Sequence, residues 1–113
     1  MPALSLRINL DPEGRIGPGK IDLLENIAAF GSISAAARGM GMSYKRAWDL
    51  VEEMNRIFGK PLVAARTGGK RGGGAELTPA GLAVVSRFRA IERAAGSAAA
   101  QHIEALQAEI DAA

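Results

Sequence analysis

The chain contains no cysteine. That excludes a disulfide framework, a thiolate metal site and a thiol nucleophile. Its single histidine, His102, cannot build a metal centre alone. No apolar run approaches the roughly 20 residues that a membrane span needs, and no secretory signal is visible at Met1. The expected compartment is therefore the cytoplasm, with no membrane partner. With no histidine near carboxylates and no triad or dyad, no enzyme is expected, and neither a metal nor a cofactor.

What is present is apolar and unevenly charged. Of 113 residues 48% are hydrophobic, too many for a disordered chain and enough for one domain with one core. The net charge is only +2, but residues 43–80 hold seven cations (Lys45, Arg46, Arg56, Lys60, Arg66, Lys70, Arg71) against four anions. Residues 1–42 are balanced at four each, and residues 81–113 hold three cations against four anions. A positive excess confined to one segment is a weak footprint of a nucleic-acid face.

The residues from Ser32 to Phe58 predict a helix-turn-helix. Ser32 offers a capping hydroxyl, and Ile33, Ala36, Ala37 and Met40 follow as one apolar stripe. Gly41 accepts a left-handed stop, Met42 can plug the angle, and Ser43 caps the second helix. There Ala47, Leu50, Val51, Met54, Ile57 and Phe58 share one side, while Lys45, Asp49, Glu52 and Arg56 take the other. The first turn of this second helix, Ser43, Tyr44, Lys45, Arg46 and Trp48, combines hydroxyls, cations and a broad aromatic. Such groups can bond phosphates and base edges in a major groove. The plainer alternative is an ordinary helix pair with Tyr44 and Trp48 half-buried in packing.

Around this unit, Leu4, Leu6, Ile8 and Leu10 alternate with polar residues, predicting a strand. Asp11-Pro12-Glu13-Gly14 is a turn, and Arg15 and Ile16 can return as a second strand. Gly14 to Lys20 matches GxxxxGK, but Ile21 replaces the magnesium-binding hydroxyl and Pro18 removes a needed N–H. A loop entering a helix from about Lys20 to Phe30 fits better, its apolar face being Leu23, Leu24, Ile27 and Phe30. Gly59 and Pro61 end the helix-turn-helix. Leu62–Ala65 and Ala75–Leu77 then read as two strands joined by a glycine-rich, basic tip with Lys70 and Arg71. That is a wing, or else a plain solvated linker. Thr78-Pro79 starts a last helix with Leu82, Val85, Phe88 and Ile91 on its apolar face. Arg87, Arg89 and Arg93 lie off that face, as solvated flanks. Gly96-Ser97 is a possible bend, after which Ala99, Ile103, Leu106 and Ile110 form an a/d seam suited to a second copy.

GSISAAARGMGMSYKRAWDLVEEMNR followed by KPLVAARTGGKRGGGAELTPAG resembles the N-terminal domain of the ModE family of molybdate-responsive transcription regulators. The first half also resembles LysR-type regulators. The ModE likeness rests on Ser43, Tyr44, Lys45, Ala47, Trp48 and Asp49 and on the wing over Thr67 to Gly74, and runs from about Leu4 to Ile91. It implies a winged helix-turn-helix, a homodimer and a palindromic operator of double-stranded DNA. By position it implies DNA contacts from Ser43, Tyr44, Lys45, Trp48, Thr67 and Lys70; Arg46 and Arg71 join them on charge alone. Residues 92–113 resemble none of the family's molybdate-binding domains, so molybdate sensing is not expected of this chain. It reads as a stand-alone regulator or as the DNA-binding half of a longer one.

The expected fold is mainly α with a small β component. It is a single winged helix-turn-helix domain over 1–113: strand region 4–16, three-helix core 20–58, wing 62–77, and C-terminal helix or helices 78–113. The expected dimer seam is Leu82, Val85, Phe88, Ile103, Leu106 and Ile110. The expected function is sequence-specific transcription regulation. The alternative is a winged-helix protein-interaction module using the Trp48 face and the C-terminal seam.

Overall fold

Start and stop residues set the elements. The computed structural model describes residues 2–66 and 74–112. Along the chain run β1 (Ile8–Asn9), β2 (Arg15–Ile16), α1 (Pro18–Phe30), α2 (Ile33–Gly39) and α3 (Tyr44–Phe58), then β3 (Val63–Arg66), β4 (Gly74–Leu77) and α4 (Pro79–Asp111). β1 pairs antiparallel with β2, Ile8 opposite Ile16. β3 pairs antiparallel with β4, Val63 opposite Leu77 and Arg66 opposite Gly74. The wing's Thr67, Lys70 and Arg71 lie outside the described residues.

Local hydrogen bonds fix the helix ends. Ser32 Oγ accepts from the Ala35 amide at 3.0 Å, Ser43 Oγ from Arg46 at 3.1 Å, and Thr78 Oγ1 from Gly81 at 3.0 Å. Each such cap contributes about 0.5–2 kcal/mol. The helix-turn-helix corner needs Gly41, whose φ of 67° suits a residue without Cβ. There the Met42 amide donates to the Ala37 carbonyl at 3.0 Å.

The core gathers Ile21, Leu23, Leu24 and Ile27 of α1, Ala36 and Ala37 of α2, and Ala47, Val51 and Met54 of α3, with Ile16, Leu62, Ala75 and Phe88 closing it. The small alanines where α2 meets α3 allow close crossing. The wing base is tied to the helices through the backbone. The Ala75 amide donates to the Gly31 carbonyl at 2.8 Å, and the Thr78 amide to Leu62 at 2.9 Å. Asn55 Oδ1, near the end of α3, accepts from the Leu62 amide at 2.9 Å. The architecture is a winged helix-turn-helix with an N-terminal hairpin and a long C-terminal helix.

Four expectations are corrected. The Leu4–Leu10 strand shrinks to Ile8–Asn9 because β2 offers only two residues before Pro18 enters α1; Leu6, Ile8 and Leu10 still lean on the core, while Leu4 is exposed. On α1, Ile21 is buried, whereas Phe30 at the helix end is 56% exposed and lies beside Gly39. Phe88, expected in a seam between copies, is 2% exposed in the core of its own protomer, since α4 packs there against α1. Arg89 is no solvated flank: it bonds Asp22 at 2.8 Å and Glu25 at 2.5 Å on α1, and Glu92 at 2.7 Å. Glu25, then Glu92, raise its pKa above the ordinary arginine value, against a smaller opposing effect of desolvation. Of the two forms expected for the C-terminal stretch, helix or helices, α4 takes the first, a single helix of 33 residues that continues through Gly96 and Ser97.

Candidate nucleic-acid interface

The first turn of α3 stands clear of the core. Ala47 faces inward, which turns its neighbours outward. Tyr44 is 54% exposed, Trp48 45%, and the Lys45 side chain 83%. Ser43 and Arg46 are exposed as well. The Ser43 oxygen accepts the Arg46 amide, so its own O–H remains free to donate. The amides of Tyr44 and Lys45 have no partner within the helix. No acidic residue occupies that turn, so the positive end of the helix dipole is undiminished there. One turn later Asp49 Oδ2 accepts from Lys45 Nζ at 2.9 Å, an exposed pair that solvent and salt weaken. Glu52 and Glu53 follow on α3, so negative charge begins just beyond the exposed turn.

The structure thus brings Ser43, Tyr44, Lys45, Arg46 and Trp48 together on one tip. Their geometry relative to Thr67, Lys70 and Arg71 lies outside the described residues. Sequence reasoning passed over two further cations. Arg66, at the end of β3, lays its guanidinium over Gly31, so close that a Cβ there would sit 2.7 Å from its Nη2. Arg38, at the end of α2, donates to Ser34 Oγ at 3.0 Å. Arg66 counts within the basic excess of residues 43–80, which carries no position, and Arg38 lies in the charge-balanced residues 1–42, which give no signal. Among the described residues no group of three histidine or carboxylate side chains could hold a metal, and no helix is long and apolar enough to cross a membrane.

Residues 19–82 match the family described as bacterial regulatory helix-turn-helix protein, lysR family. The chain belongs to this family. It is 53% identical over 78 residues to the molybdenum-pterin-binding protein MopB of Rhodobacter capsulatus, covering 69% of this chain and 29% of that protein. It is 48% identical over 71 residues to the DNA-binding transcriptional dual regulator ModE of Escherichia coli K12, covering 63% and 27%. The chain therefore spans under a third of the length of these curated relatives. Among solved structures it is similar to the CbnR DBD–DNA complex, with 24% identity and a TM-score of 0.59 over 78% of this chain and 95% of that one. It is also similar to full-length LysG of Corynebacterium glutamicum with bound effector Arg, at 24% identity and a TM-score of 0.58, covering 80% and 29%. Both structural likenesses concern the fold.

In this lysR-family chain the residues proposed for pairing divide along α4. Leu82, Leu106 and Ile110 are exposed, Ile103 is half-buried, and Val85 leans on the core beside the buried Phe88. His102 is exposed.

Proposed function

We propose that this chain is a DNA-binding transcription regulator of the ModE-like type, acting in the cytoplasm as a homodimer on a palindromic operator. The observation that carries the reading is the outward tip of α3, where Tyr44, Lys45 and Trp48 are exposed while Ala47, Val51 and Met54 turn the opposite face into the core. A large, half-exposed aromatic beside exposed cations and free backbone amides suits a groove lined by phosphates and base edges. Lys45 and Tyr44 reach the groove, Ser43 donates its O–H to a phosphate, and Trp48 offers an apolar edge to a thymine methyl or a sugar. Arg46 adds charge, and Thr67, Lys70 and Arg71 supply the wing contact. Asp49, Glu52 and Glu53 repel phosphate, so only the first turn enters deeply. Pairing along Leu82, Ile103, Leu106 and Ile110 of α4 presents two such tips to half-sites about one helical turn apart.

Gel retardation with genomic fragments tests this. A retarded complex that contracts to a two-fold symmetric site on selection is expected. No retardation at low salt from an intact dimer would instead favour a protein-interaction module.

A further inference from the structure

Three arginines from separate stretches of the chain face one pocket beside the proposed reading helix. Arg7, just before β1, Arg15 of β2 and Arg46 of α3 line a depression of about 290 Å³ together with Gly17, Gly19 and Lys20 of the α1 start and Met40 and Met42 of the helix-turn-helix corner. No carboxylate lines it. Lys20 is already engaged, bonding Glu53 at 2.8 Å and the Arg15 carbonyl at 2.6 Å. Arg7, Arg15 and Arg46 have no ion-pair partner among the described residues. The Arg7 stem lies against Gly17, where a Cβ would sit 2.7 Å from its Cγ. The start of α1 adds to the field, for Gly17 gives no side-chain cap and no acid occupies the first turn.

Beyond the Lys20–Glu53 pair, three cations line the depression with no carboxylate in its lining, and the cluster is continuous with the α3 tip through Arg46. We infer that the N-terminal hairpin is a third DNA-contacting element: Arg7 and Arg15 each hold a backbone phosphate flanking the groove that α3 enters. This rests on the DNA-binding reading above and adds to it a contact made by neither the helix-turn-helix nor the wing.

The test is the salt dependence of binding to one duplex by the wild-type chain and the Arg7→Gln/Arg15→Gln variant, with circular dichroism to confirm folding. Loss of two phosphate contacts should flatten the slope of log K against log salt by about 1.8, equally on specific and random DNA. The Arg7→Lys/Arg15→Lys variant keeps the charge and should keep the slope. If the double variant does not fold, each single Gln variant should lose about 0.9. Wild-type binding with an unchanged slope in the Gln variants would overturn this inference alone; absence of wild-type binding would overturn it together with the DNA reading. Arg7-dependent saturable binding of inorganic phosphate, with an unchanged DNA slope, would assign the pocket to a free anion and equally overturn it.

Discussion

Replacing Gly81 by alanine places a methyl group where α4 meets the backbone of Leu62. Helix propensity alone predicts a gain, because alanine is favoured over glycine by up to about 1 kcal/mol inside a helix. The packing predicts the reverse. A Cβ at Gly81 would sit 2.2 Å from the Leu62 carbonyl oxygen and 3.1 Å from its carbon, and neither atom belongs to a flexible side chain. Relief requires about an ångström of separation between the α4 start and the approach to β3. That motion strains the Thr78 amide bond to Leu62 and the Thr78 hydroxyl bond to the Pro61 carbonyl at 2.8 Å. Overpacking costs about 1–3 kcal/mol, a weakened hydrogen bond about 1 kcal/mol, and the propensity gain offsets up to about 1 kcal/mol. The net expectation is a loss of about 1–3 kcal/mol, or a fall in melting temperature of about 4–12 °C for a chain of this size. Gly96→Ala is the matched control. Nothing lies within 4 Å of its added Cβ, so about 0.5–1 kcal/mol should be gained. Thermal melts followed by circular dichroism read both. A Gly81→Ala chain melting at or above wild type would refute the close-contact argument. A Gly96→Ala chain melting lower would mean that a second copy covers that stretch of α4.

Arg89→Leu should cost about 1–2 kcal/mol, a sum over three partly exposed ion pairs, and urea unfolding measures it; an unchanged midpoint would show that the pairs add nothing. Ser43→Ala should lose about 1 kcal/mol of helix capping, visible in the same assay. Lys45→Ala should cost about 1–3 kcal/mol of binding on the preferred site only, if Lys45 contacts a base; equal loss on random DNA would assign it to phosphate. Leu106→Asp with Ile110→Asp should leave the protomer folded and abolish the dimer in analytical ultracentrifugation, and a persisting dimer would place the seam elsewhere.

The parts legible in the sequence are those whose cause lies within a few residues. Ser32, Ser43 and Thr78 each accept an amide three positions on, so the capping residue and the helix it starts appear together in the text of the chain. Gly31, Gly41 and Gly59 likewise end their helices in left-handed turns. What was hidden depends on partners far away in sequence. Arg89 finds Asp22 and Glu25 more than sixty positions back, and no local spacing announces that. Phe88 and Leu82 share one apolar stripe, yet α1 covers the first and leaves the second exposed; periodicity gives a face but not its neighbour. Phe30 failed for a related reason, since the face of α1 turns toward Ile21 and runs out before the helix does. The five groups of the α3 tip were legible because exposure follows from the buried position of Ala47 between them. The arginine cluster at the hairpin was not, because Arg7, Arg15 and Arg46 meet only once the chain has folded.

The far half of α4 acts as a lever arm. From Arg89 to Asp111 is 22 residues, about 33 Å of helix at roughly 1.5 Å per residue. Over that length a swing of about 10° at the Arg89 anchor carries the far end some 6 Å by the same helix geometry, comparable with nearly two base-pair steps at about 3.4 Å each. Where two protomers join by those far ends, the distance between their reading helices is set less by the join than by how stiffly Asp22 and Glu25 of α1 hold the Arg89 guanidinium.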